Sequence, residues 1–380
     1  MHILYICNEY PPASGVGGVG IFTRTLARGL ANTGFQVSVI GLYPPDQSGI
    51  FTDNGVSVIR LPRFQLPQIN GLLNSFLLSS AISRLDQKSR IDIIEGPEMS
   101  QAYIGGAKQA KRIIRLNGGH HFFRYTLGKK KPLFWRGLWE RWSFSRAEAL
   151  CAVSRFVAEM TRRLLNLGDI EIPILPNPVN ADVFRPMPDI PETDGAILFI
   201  GTLCEKKGIR QLVQAMPEIA AHVPHAQLWA AGRDTLNPRT GHSFIADLQN
   251  DIPDKLREKV TFLGPIPNED LPRLIARAQV CVYPSHMEAM PIACLEGLAC
   301  GKAVVFSQTG PGPELIDDEQ DGLLCDPYDP QSIASQVVRL LADVELRRKL
   351  GSQARQKALQ QFSLDVLLKR NIEFYQKCLV

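Results

Sequence analysis

The chain has 380 residues and a formal net charge of +4, with 45% hydrophobic and 21% charged residues. That length is too great for one ordinary core and points to two domains, while the composition excludes disordered, collagen-like and low-complexity classes. The charge is uneven: residues 101–171 hold fourteen Lys/Arg against five Asp/Glu, a local +9, so the remainder sums to −5.

The amino end, Met1-His2-Ile3-Leu4-Tyr5-Ile6-Cys7, lacks the charged start of a signal peptide and reads as a first strand. Short β-branched runs at 36–40, 56–60, 91–95, 113–116 and 149–153 read as further buried strands, with helical patterns between them such as 21–32. Pro176-Asn177-Pro178 and the Pro-rich segment 185–194 interrupt the series. A second series of strands is expected at 196–201, 227–231, 260–263, 280–283, 303–307 and 322–325. Helices are expected at 209–222, 268–278 and 292–299, and the chain closes in one at 365–378. Strand-helix alternation implies two α/β domains with parallel sheets, placed at 1–180 and 181–362, with a ligand site beyond the carboxyl ends of the strands. No run of about 18 apolar residues suggests a membrane span. The eight cysteines show neither a C-x-x-C pair nor a histidine at zinc spacing, which favours reduced thiols and a cytoplasmic setting.

Three segments carry candidate chemistry. Gly15-Val16-Gly17-Gly18-Val19-Gly20 lies between the first strand and helix, where backbone N–H groups can meet an anion; it equally suits a tight turn, and it departs from the dinucleotide fingerprint. Gly201-Thr202-Leu203-Cys204-Glu205-Lys206-Lys207-Gly208 leads from a strand into a helix, and Lys206 or Lys207 can neutralise a diphosphate; as an isolated pair they also suit a solvated loop. In Tyr283-Pro284-Ser285-His286-Met287-Glu288-Ala289-Met290-Pro291-Ile292-Ala293-Cys294-Leu295-Glu296, a strand runs into a loop, with Pro291 expected at the first helical position. Glu288 then precedes a helix whose free N–H groups suit a diphosphate, while Glu288 and Glu296 suit sugar and ribose hydroxyls.

With Gly232-Arg233 upstream and Gly301-Lys302, Thr309-Gly310-Pro311-Gly312-Pro313-Glu314 and Asp321-Gly322 downstream, residues 196–330 resemble the donor-binding domain of the family 4 glycosyltransferases. Glu288 and Glu296 match that family's glutamate pair, Lys207-Gly208 its basic loop and Gly17-Gly18 its glycine loop. The resemblance implies the GT-B fold, two Rossmann-like domains facing across a cleft, with a closing segment at 363–380 that returns to the first domain. It implies a retaining, metal-independent transfer from a UDP- or GDP-sugar, which is a co-substrate and not a bound cofactor. Donor contacts are then expected from Gly17, Gly18, Gly201, Thr202, Lys206, Lys207, Gly232, Arg233, Ser285, Glu288, Ala289, Met290, Pro291, Ile292 and Glu296. Thr202 stands where the family often has arginine, leaving Lys207 as the main cation. Asn117 stands where it usually has an active-site histidine, with His120 or His121 as substitutes and His120 the candidate. The catalytic set read this way is His120, Glu288 and Lys207. A sugar-nucleotide epimerase or phosphorylase, or a non-catalytic nucleotide-sugar binder, are the alternatives on the same fold.

One further segment is separate. Lys129-Lys130-Lys131 precede Trp135, Trp139 and Trp142, which share a helical face flanked by Arg136 and Arg141. This suits a lipid-linked or glycan acceptor and peripheral contact with an anionic membrane. It equally suits a core helix packed on the first sheet. No nucleic-acid module is present.

Overall fold

The computed structural model describes every residue except Ser14, 66–69, Tyr103, 129–133 and Arg239. It comprises two compact units, Met1–Pro178 with Leu364–Val380, and Val179–Ser363. Among the described residues no helix is long and apolar enough to cross a membrane.

The first unit holds β1 (His2–Ile6), β2 (Gln36–Tyr43), β3 (Gly49–Asp53), β4 (Val56–Pro62), β5 (Ile93–Gly96), β6 (Lys111–Leu116) and β7 (Ala149–Ala152). Their sheet order is β3-β4-β2-β1-β5-β6-β7, parallel except for β3 against β4. The helices are α1 (Gly18–Asn32), α2 (Asn70–Lys88), α3 (His120–Thr126), α4 (Phe134–Ser145) and α5 (Arg155–Leu165). The central strands are Val/Ile/Leu runs buried on both faces, as helix-covered parallel strands must be. α1 starts at Gly18, three residues before the expected helix, so the end of the glycine loop is itself helical.

α13 (Leu364–Leu379) belongs to this unit. The Tyr375 hydroxyl meets Glu95 Oε2 at 2.8 Å and the Tyr5 hydroxyl at 2.7 Å. Arg115, 1% exposed, donates to Glu95 at 2.7 Å and to Asn371 Oδ1 at 2.6 Å. A buried guanidinium is tolerated here because its donors meet a carboxylate and an amide oxygen. This network ties the last helix to β1, β5 and β6.

The second unit holds β8 (Ala196–Ile200), β9 (Gln227–Ala231), β10 (Val260–Gly264), β11 (Val280–Tyr283), β12 (Ala303–Ser307) and β13 (Leu323–Cys325), all parallel in the order β10-β9-β8-β11-β12-β13. Its helices are α6 (Ile209–His222), α7 (Phe244–Asp251), α8 (Leu271–Arg277), α9 (Ile292–Ala299), α10 (Gly312–Leu315), α11 (Pro330–Ala342) and α12 (Val344–Lys357). One continuous core runs from Ile197 and Phe199 of β8 to Val337 and Leu340 of α11. The eight cysteines carry no disulfide, and six of them are buried. Burial pushes the Cys7 and Cys281 thiols up to about 11, where they pack as small hydrophobes.

Candidate active site

In the second unit the strand order turns back between β8 and β11, so the loops after these strands open side by side. Open parallel sheets take ligands at such a point. After β8 come Gly201, Thr202 and a single turn carrying Lys206 and Lys207; after β11 comes loop 284–291. The loops are locked together. The His286 N–H donates to the Lys206 carbonyl at 2.9 Å. Gly208 has φ +69°, and a β-carbon there would stand 1.8 Å from the Pro284 carbonyl oxygen, so only glycine allows the approach.

Lys207 Nζ pairs with Glu288 Oε1, and Glu288 is 7% exposed. Burial alone would raise the Glu288 carboxyl, yet Lys207, Lys206 and the Ser285 hydroxyl hold it below its ordinary value. Burial lowers the Lys206 ammonium against the pull of Glu288. The loop is braced from behind: the His286 ring stacks on Tyr328 at 4.4 Å and meets Gln211 Oε1 at 3.1 Å. The Thr309 hydroxyl donates to the His286 carbonyl at 3.0 Å. Ser285, Ala289, Met290 and Pro291 are buried.

α9 then begins at Ile292, with Pro291 as its N-cap and no side-chain cap. The expectation of Pro291 inside the first turn is thus one residue off. Its φ of −76° suits a helix, but its ψ of 117° is extended. Glu296 lies in the second turn, 4% exposed, and accepts from Asn268 Nδ2 at 3.1 Å. Asn268, in the loop after β10, was not foreseen; nothing local in the sequence links it to a residue 28 positions away. Gly232 and Arg233 follow β9, where the Arg233 carbonyl accepts the Leu203 N–H at 2.9 Å and the side chain is exposed. The unit thus gathers two buried carboxylates, two lysines and a helix amino end, groups suited to a polyol diphosphate.

In the first unit the order turns back between β1 and β5. Gly17 is the N-cap of α1 and Gly18 its first residue. A carboxylate already meets this helix end, since Glu9 accepts the Gly20 N–H at 2.8 Å. After β6, the Asn117 N–H donates to Glu98 Oε1 at 2.6 Å, and its side-chain amide turns back to the Arg115 carbonyl at 3.1 Å. α3 opens on His120 and His121 after Gly119, which has no side chain to cap them. Glu140 of α4 supplies the cap, accepting the His120 N–H at 2.7 Å and the His121 N–H at 2.9 Å. It also pairs with His121 Nδ1. A β-carbon at Gly119 would stand 1.9 Å from Glu140 Oε1, so any larger residue there would displace the capping carboxylate. The His121 ring is thus committed to Glu140. The half-buried His120 ring is lowered by burial, against the pull of Glu140, which keeps it neutral at pH 7. Neither Glu140 nor Glu98 was foreseen; each is a lone acid whose partner lies about twenty residues away.

Glu98 is pushed up to about 8, first by burial and further by Glu140, against backbone N–H bonds from Asn117 and Gly118. Between its unfolded value near 4.5 and about 8, the folded chain holds a proton that the unfolded chain has released. This group's contribution to stability therefore falls as pH rises across that window, by no more than about 1.4 kcal/mol per pH unit. Glu98→Gln keeps an oxygen for Asn117 and carries no charge. Its unfolding midpoint should gain on the parent's as pH rises from 5 to 8; parallel midpoints would refute a buried neutral carboxyl.

Of the remaining sequence candidates, Trp135 and Trp142 are exposed and Trp139 is half-buried near Gly71 of α2, so the three do not share one environment. Lys129, Lys130 and Lys131 lie outside the described residues.

Two family models match the chain: Glycosyltransferase Family 4 over residues 16–183, and Glycosyl transferases group 1 over residues 181–357. An uncharacterized glycosyltransferase of Methanocaldococcus jannaschii is 27% identical, covering 99% of this chain and 98% of that protein. The N-acetyl-alpha-D-glucosaminyl L-malate synthase of Bacillus anthracis is 25% identical over 95% of this chain and 94% of its own. Among solved structures, sucrose-phosphate synthase from Thermosynechococcus elongatus matches with a TM-score of 0.84 at 22% identity, over 99% of this chain and 98% of that one. Anabaena HepE in complex with UDP and glucose matches with a TM-score of 0.76 at 15% identity, over 99% and 100%. At these identities the structural likenesses carry the fold alone.

Proposed function

The chain belongs to the family 4 glycosyltransferases and has the GT-B fold, and from that premise we propose a retaining, metal-independent transfer of a sugar from a UDP- or GDP-sugar to a glycan, lipid-linked or small-molecule acceptor. The observation that carries this reading is the Lys207–Glu288 pair at the β8/β11 turning point, beside the amino end of α9. Two buried carboxylates and two lysines beside a helix amino end support a nucleotide-sugar donor.

The chemistry follows from charge. The bond from the anomeric carbon to phosphate breaks, leaving negative charge on the diphosphate and positive charge on the sugar. Lys207, with Lys206 and the N–H groups around Ile292, meets the first. Glu288 takes sugar hydroxyls and Glu296 the ribose diol. A backbone carbonyl near His120 meets the sugar's positive charge, while the neutral His120 ring orients a sugar hydroxyl. The acceptor hydroxyl adds to the anomeric carbon from the face the phosphate leaves, and its proton passes to the departing phosphate oxygen. Gly17 and Gly18 are assigned to offer N–H groups to the donor; the Gly20 N–H of the same helix end is already taken by Glu9.

The test is product analysis. Incubation with a panel of UDP- and GDP-sugars and acceptors should release the nucleoside diphosphate. The anomeric coupling in the product, read by NMR, should match that of the donor. An inverted anomer would end the retaining reading, and no release across the panel would end the transfer reading.

A further inference from the structure

We infer that α2 and α4 of the first unit form a docking face for an anionic lipid bilayer. Four large apolar side chains of α4 lie in solvent: Phe134 is 69% exposed, Trp135 68%, Leu138 44% and Trp142 43%. Trp135, Leu138 and Trp142 stand three and four residues apart, the spacing of one helical stripe. On α2, Leu72 and Phe76 form a second stripe, 69% and 76% exposed. The helices are neighbours there, because the Trp139 ring reaches to 3.7 Å from where a β-carbon of Gly71 would stand.

Charge selects the occupant. Residues 70–83, most of α2, contain no charged side chain. α4 contains Arg136, Glu140 and Arg141; both arginines are exposed, whereas Glu140 is 1% exposed and turned inward onto His120 and His121. The outer face of α4 therefore presents aromatic rings and cations with no acid among them. A protein partner would meet both only with acids set around an apolar centre. A bilayer with anionic headgroups matches both, since tryptophan and phenylalanine insert at the headgroup boundary while arginines stay at the phosphates. The uneven charge of the chain, with a local +9 over residues 101–171 against −5 elsewhere, agrees in sign.

The two faces of α4 connect this surface to the candidate site. The inner face holds the His120–His121 turn through Glu140, and the outer face carries the exposed stripe. A membrane-borne acceptor would be delivered to the unit that carries that turn. This last step rests on the proposed transfer; the docking face itself rests on exposure and charge alone.

The test is co-sedimentation of the full chain with vesicles, at low and high salt. The unmodified chain should bind vesicles of equal phosphatidylglycerol and phosphatidylcholine. Binding should fall roughly tenfold or more on phosphatidylcholine alone, in high salt, or when Arg136 and Arg141 are both changed to glutamate. Changing Leu72, Phe76, Trp135 and Trp142 together to serine should abolish it. These positions are exposed, and an unaltered thermal shift with a nucleotide sugar would show that the variant is folded. Absence of binding to the anionic vesicles would overturn the proposal, as would equal binding to both kinds. So would a parent dimer, seen by light scattering, that the serine variant converts to monomer. Because sedimentation does not depend on transfer, an enzyme that transfers but does not dock, and a chain that docks but does not transfer, are told apart.

Discussion

Glu288→Ala and Lys207→Ala are each expected to lower sugar transfer by about 10²–10³-fold while the chain stays folded, the magnitude seen when one group that meets developing charge is removed. Glu288 is 7% exposed and Lys207 is its closest cation, so each change acts on one charged unit at the mouth of the β8/β11 turning point. Truncating Glu288 releases an ammonium whose side chain is 23% exposed and can turn to water, which is why folding should survive. Truncating Lys207 leaves a buried carboxylate with Lys206 and Ser285 as its remaining support. Its pKa must then rise, because burial is opposed by one cation fewer. If Glu288 acts ionised, the acidic limb of the pH–rate profile moves to higher pH in Lys207→Ala. The double variant should lose little more than either single one, since the two side chains work as a pair. Rates of nucleoside diphosphate release, alongside circular dichroism and an unfolding midpoint, check all of this. Full activity in both single variants would remove the pair from the reaction.

Glu140→Ala should lower kcat by roughly 10–100-fold and leave nucleotide affinity unchanged, because misplacement by about 1 Å carries that cost. The carboxylate holds two backbone N–H groups and one imidazole at the start of α3, all within the first unit. Buried N–H groups left without an acceptor cost about 1–3 kcal/mol each, so the turn bearing His120 will shift to find new ones. Lys207, Glu288 and Glu296 belong to the second unit and should not notice. Glu140→Gln keeps an oxygen for one N–H and should fall between parent and alanine. The split between kcat and nucleotide affinity separates positioning from general damage. A weakened nucleotide affinity with kcat intact would place Glu140 in a different role.

The two parallel sheets were legible because their strands are buried on both faces and so read as unbroken β-branched runs. Val280-Cys281-Val282-Tyr283 and Ala303-Val304-Val305-Phe306-Ser307 have their observed bounds in the sequence itself. β3 was missed. It is a half-exposed edge strand, Gly49-Ile50-Phe51-Thr52-Asp53, whose Ile50 is 77% exposed and which pairs antiparallel with β4 on one side only, so no buried run betrays it. α2 was not delimited either, because Leu72, Leu73, Phe76, Leu77 and Leu78 spread around the helix and hide the 3.6-residue period. In the candidate site, the lysine and glutamate loops could be read because each follows its own strand. Their mutual contact needed the sheet order, which turns back between β8 and β11. Glu9, Glu98 and Glu140 were invisible for a related reason. Each serves a backbone N–H eleven to twenty residues away, and backbone groups leave no mark in a sequence. The tryptophan face was read with Trp139 among the others. Close packing of Trp139 near Gly71 turns it aside and leaves Leu138 in the exposed stripe instead.

The most direct measurement is the thermal shift of the full chain with UDP or GDP against the corresponding nucleoside, in the parent and in Lys207→Ala. At a hundredfold excess over Kd, a bound diphosphate adds about 2.7 kcal/mol to the stability of the folded state, a shift of several degrees. The expected result is such a shift with one of the two diphosphates, little with the nucleoside, and its loss in Lys207→Ala. An equal shift in parent and variant, or none with either diphosphate, would contradict a diphosphate held at Lys207 and Glu288.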